Sequence, residues 1–171
     1  MASLIDELVE VLDKENSEYT TLLALSTEKT STIVKNDIEQ LQLLVTKEQE
    51  VVDRINILEK QREKTVEDIC KVLHVNPGDL TVKVLIDLLK KQPEEQKKLQ
   101  EVHTKLGNTL KKMVRVNESN KMLMKESMEI LEFEMNLVKG LKMAPETNNY
   151  TKGAYSAGGT EYGAGAFDAK Q

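Results

Sequence analysis

Apolar residues return at three- and four-residue steps along two successive long runs, with only a short polar break between them. Ile5, Leu8, Leu12, Tyr19, Leu22 and Ile33 set the first run and predict a helix from Leu4 to Val34. Ser3 and Asp6 read as a capping box at its start. Lys35-Asn36 reads as a turn, with Asp37 as the next N-cap and Gln40 as its box partner. The second run, Ile38, Leu41, Val45, Val52, Ile55, Leu58, Val66, Ile69 and Leu73, predicts a helix from Ile38 to His74, roughly 55 Å long. Polar residues interrupt both seams, Glu15 and Ser26 in the first, Glu48 and Arg62 in the second. Two such helices joined by a tight turn bury their seams by folding back on each other, antiparallel.

Asn76 to Asp79, "NPGD", is a turn by residue chemistry. Val84, Leu85, Leu88 and Leu89 then fit a short helix, with a strand over Thr81-Val82-Lys83-Val84 as the weaker reading. Pro93, followed by Glu94-Glu95, starts a last helix that reaches about Leu141, roughly 70 Å. The expected fold class is therefore all-α: an elongated antiparallel helical hairpin or bundle of three long helices plus one short helix. The helical domain is expected over residues 1–143. From Ala144 to Gln171 there is no Leu, Ile, Val or Met, and five of the eight Gly lie there. A segment so poor in apolar area cannot offset its ordering entropy, so residues 144–171 are expected to form a disordered C-terminal tail. It is punctuated by Tyr150, Tyr155, Tyr162 and Phe167.

Composition narrows the function classes. The chain has 24 basic and 29 acidic residues, a net charge of −5, which argues against a nucleic-acid partner. No apolar run reaches the ~20 residues of a membrane helix, and no secretory leader is readable at the start, so no membrane insertion and a cytoplasmic location are expected. The single Cys70 has no internal disulfide partner and sits beside the seam residue Ile69, which fits packing. His74 and His103 stand without Cys or carboxylate at ligand spacing. No catalytic, metal or cofactor constellation is present, and binding by helix surface is what remains.

The segment "NKMLMKESMEILEFEMNLVKG", Asn120 to Gly140, holds four of the seven Met. At about 100° per residue its apolar side chains span an arc of roughly 240°, about twice the stripe that one-sided packing needs. Upstream the stripe of Leu99, Leu106, Leu110 and Met113 is narrower. Either this half is buried between the first two helices, or one flank packs internally and the other waits for a partner. In the second reading Leu123, Ile130 and Leu137 form the packed flank. The edge carrying Met124, Met128 and Met135 faces a partner, because flexible Met suits interchangeable apolar surfaces.

"VNESNKMLMKESME" has Asn117 and Asn120 three apart, then Leu123-Met124 and Ser127-Met128. It resembles the Asn-x-x-Asn-x-x-Leu-Leu-x-x-Ser-Leu pattern in the C-terminal helix of the FlgN family of flagellar export chaperones, with Met in place of Leu at 124 and 128. Leu22 to Lys29 followed by "KNDIEQL" resembles that family's first helix and turn, and "KEQEVVDRINILEKQR" its second helix. The tail, with Asn149-Tyr150, Gly153 and Phe167-Asp168, is similar to that of Gram-positive-type members. The resemblance implies no catalysis. It implies a cytoplasmic type III flagellar export chaperone that holds hook-associated (hook–filament junction) proteins before secretion and delivers them to export gate components. Client binding would fall to Asn117, Asn120, Met124, Met128, Leu131, Met135 and Val138 on the C-terminal helix. For Tyr150, Tyr155 and Tyr162 two readings stand beside the resemblance: an inert tail, or contact with the export machinery. The alternative is a structural homodimeric coiled-coil adaptor without chaperone activity; weak self-association of the free protein is left open.

Overall fold

Helix α1, Ala2–Val34, and helix α2, Ile38–Leu73, form an antiparallel pair in the computed structural model, which describes residues 2–143. The chain reverses through Asn36, whose φ of 54° is left-handed, a conformation Asn tolerates better than most residues. Asp37 caps α2 by accepting from the Gln40 backbone N–H at 3.0 Å. The expected reciprocal bond is absent, because the Gln40 amide reaches back across the turn to Glu28 instead. Ser3 lies inside α1 rather than before it, and Asp6 pairs with Lys98, so the capping box expected there does not form. His74 closes α2 in the left-handed region with its N–H on the Cys70 carbonyl.

Pro77–Asp79 form a single 3-10 turn, and Val82–Leu88 form α3, capped by the Thr81 hydroxyl, so the strand reading of this stretch falls. A second 3-10 turn, Leu89–Lys91, leads into helix α4, Pro93–Met143. Every described element is helical. By contacts the chain divides into two units, Met1–Phe133 and Glu134–Gln171. The described part of the second is the last turns of α4, whose residues from Glu134 to Met143 are all exposed.

Polar pairs fix the register of the first unit. Lys98 meets Asp6, Thr109 donates to Asn16 at 2.8 Å, and the Asn120 amide donates to the Ser26 carbonyl at 2.8 Å. These pairs are 92, 93 and 94 residues apart, so α4 runs parallel to α1 and therefore opposite to α2. One core at the base joins Ile5, Leu8, Leu12, Ile69 and Cys70 of the hairpin to Leu85 and Leu89 and to Leu99, Val102 and Leu106 of α4. A second, smaller core holds Leu22, Val51, Ile55 and Met113.

The four seam interruptions pair with one another across the hairpin. Buried Glu15 accepts from Arg62 at 3.0 Å, and buried Ser26 donates to Glu48, whose other oxygen meets Lys29 at 2.6 Å. Each polar residue thus finds its partner only in this alignment. The first turns of α2 depart from the expected seam. Its buried stripe there is Leu44, Val51 and Ile55, while Ile38 and Val45 are exposed and Leu41 is half-buried. Leu44 and Val45 are about 100° apart, so only one of the two can face α1.

Candidate groove and exposed face on helix α4

Between the first half of α2 and the middle of α4 lies a groove of about 430 Å³. Leu41, Val45 and Val52 form one wall, Met113, Asn117, Lys121 and Met124 the other, and Leu22 contributes to its lining. Its polar components, Ser26, Lys29, Glu48 and Asn120, are already bonded to one another. Asn120 spends its amide N–H on the Ser26 carbonyl and accepts from the Thr30 hydroxyl. Among the described residues no buried side-chain polar atom lacks a partner. The free surface of the groove is therefore apolar, with Asn117 and Lys121 exposed on its α4 side.

Past Asn120 the helix loses cover. Leu123 and Ser127 are half-buried, and every residue from Met128 to Met143 is exposed. The reason is register: an offset of about 93 carries Val34, the last residue of α1, to the level of residue 127. Met128 stands 66 % exposed and Leu131 49 %, and in the second unit Met135 stands 59 % and Val138 50 %. Up to Phe133, therefore, this half is not sandwiched between α1 and α2. Of the expected packed flank Leu123 is partly covered, and Ile130 is 58 % exposed.

Counted at about 100° per residue, Asn117, Met124, Met128 and Leu131 of the first unit share an arc of roughly 60° on α4, the one that carries the groove wall, and Asn120 extends it to roughly 80°. Asn120 lies at the inner edge of that arc and turns inward, 4 % exposed, so its side chain is not presented to a ligand. Tyr150, Tyr155 and Tyr162 lie outside the described residues. Sequence reasoning missed the α2 wall. Leu41, Val45 and Val52 were assigned to the core seam, although Leu44 and Val51, one step away, already filled that role. An apolar face two stripes wide on α2 was the available signal.

Among the described residues no group of His, Cys, Asp and Glu could hold a metal, Cys70 is buried in the base core, and no helix is long and apolar enough to cross a membrane. The arrangement offers apolar surface in a cleft between two helices, the kind of surface on which amphipathic helices dock.

Comparison with known proteins agrees. The chain is 26% identical over 129 residues to an uncharacterized protein, YvyG, of Bacillus subtilis (strain 168), a match covering 75% of this chain and 74% of that one. No solved structure matches. The family model described as FlgN protein matches residues 1–157, nearly the whole chain. The chain therefore belongs to the FlgN family of flagellar export chaperones.

Proposed function

We propose that this chaperone binds hook-associated, hook–filament junction proteins in the cytoplasm, holds them before secretion, and passes them to the export gate. Its binding surface would be the α4 face carrying Met124, Met128, Leu131, Met135 and Val138, with Asn117 at the groove edge. The observation that carries this reading is the run of uncovered apolar side chains that begins where α1 ends. A contiguous exposed apolar patch on a soluble chain marks a binding surface. Junction proteins that assemble through amphipathic helices would present a matching stripe, and release would need no nucleotide if the export gate competes for the same stripe.

The test is genetic and biochemical together. A strain lacking this chain should still secrete hook subunits yet fail to secrete hook-associated proteins, and the purified chain should bind one of those proteins one to one. Unimpaired secretion of every hook-associated protein would end the proposal. Changing Tyr150, Tyr155 and Tyr162 together to Ala should leave client affinity intact and lower export, if those residues address the export machinery.

The same uncovered face supports a second reading, in which two copies pair through α4 as a structural adaptor. Sedimentation separates the two: a client-free monomer that forms a one-to-one complex fits the chaperone, and a tight dimer that client cannot dissociate fits the adaptor.

A further inference from the structure

Helix α4 carries a block of charge opposite in sign to the chain as a whole. Between Lys105 and Lys125 there are six basic residues and one acidic, a local balance of +5 in a chain whose net charge is −5. Lys111, Lys112, Arg115 and Lys121 are exposed, and among the described residues none of them makes an ion pair. Register explains why. The offset of about 93 sets Lys111 to Lys121 level with residues 18–28 of α1, and α1 has no charged residue from Tyr19 to Thr27. The two acids at the ends of that stretch are engaged elsewhere, Glu18 with Arg54 and Glu28 with Gln40. These four cations therefore have no free counter-charge on the facing stretch of α1.

By the helical count Lys121, Lys125 and Lys111 lie on one flank of the groove-facing arc, about 40° to 120° from Asn117; Glu118 lies among them, and Lys125 pairs with Glu129 at 4.0 Å. We infer that the α2–α4 groove takes an amphipathic partner helix whose apolar stripe enters between Val45 and Met124 and whose flank carries carboxylates opposite these lysines. This rests on the reading of α4 as the client-holding helix and adds the chemistry of the client segment. Apolar contact supplies affinity, while Lys111 and Lys121, which make no ion pair, set orientation and speed encounter together with Lys125, since charge complementarity across an interface acts mainly on specificity and on-rate.

Two stapled helical peptides of about 18 residues test this, long enough to span the groove and held helical because free helices of that length are marginal. Both carry the same Leu stripe; one is flanked by Glu and the other by Lys. The Glu-flanked peptide should bind at least ~10-fold more tightly at low salt, with the gap closing toward ~0.5 M salt as screening sets in. Changing Lys111, Lys121 and Lys125 together to Glu should invert the preference, and Val45→Asp should weaken both peptides without lowering the melting temperature. Equal binding of the two peptides, failure of both, binding that survives Val45→Asp, or a single-stranded oligonucleotide binding as tightly as the Glu-flanked peptide would overturn the inference. Failure here with retained hook-associated protein binding removes the acidic flank alone; loss of that binding too would remove the client reading itself.

Discussion

Asn120 is the last buried residue of α4, and it is polar. It stands seven residues after Met113, which stands seven after Leu106 and fourteen after Leu99, so it occupies a seam position where a bundle normally places an aliphatic side chain. A buried Asn there costs stability but fixes alignment, because its two amide bonds to α1 form in one register only. Asn120→Ala should cost ~1–3 kcal/mol, the range for losing buried hydrogen bonds. The loss should be local: amide exchange should speed up around Val114 to Lys125 and stay slow around Leu99 to Leu106. Uniform acceleration along α4, or none, would contradict that role. Resemblance placed both Asn117 and Asn120 on the client face. Three residues of spacing separates them by about 60° around the axis, and which one turns inward depends on where α1 lies. No motif carries that information, and the structure turns Asn120 in and leaves Asn117 out.

At the scale of helices, periodicity was enough to place α1, α2, α3 and α4 within a few residues of their observed bounds. The polar interruptions marked register, although only the three-dimensional alignment shows Glu15 with Arg62 and Ser26 with Glu48. What periodicity could not settle was which of two adjacent stripes on α2 faces α1. Ile55→Ala should therefore cost ~2–4 kcal/mol, as a buried cavity does, while Val45→Ala should cost under ~0.5 kcal/mol in a denaturant titration. The Glu15–Arg62 pair adds a pH signature. Burial pushes the Glu15 carboxyl above its ordinary value, with Arg62 opposing and Glu59 adding to the rise. A raised carboxyl contributes stability that is full below its unfolded pKa and is lost as pH rises through the folded one, so near pH 7 Glu15 is tolerated because Arg62 faces it. Arg62→Met strands the charge and should cost about 3 kcal/mol at neutral pH. That penalty should shrink toward pH ~4 as Glu15 takes up a proton. A penalty independent of pH would mean that Arg62 acts by packing alone.

For the molecule as a whole, the hairpin and its base core spend the chain's best apolar residues on stability. From Met128 to Phe133, α4 keeps Met128, Ile130, Leu131 and Phe133 exposed. The wide apolar arc was legible in the sequence because angular width needs only residue order. That no flank of it packs was not, because this follows from where α1 stops relative to α4. The central claim is that this uncovered face holds the client. Three buried Met side chains could contribute ~4.5–9 kcal/mol before association costs, enough for much of a micromolar affinity. The most direct test changes Met124, Met128 and Met135 together to Gln and measures both thermal unfolding and affinity for a hook-associated protein by calorimetry. All three are exposed, so folding stability should move by less than ~1 kcal/mol. Client affinity should fall at least ~100-fold, or ~2.7 kcal/mol. A variant that folds as the wild type does and still binds its client at full strength would contradict the account, as would one that melts early.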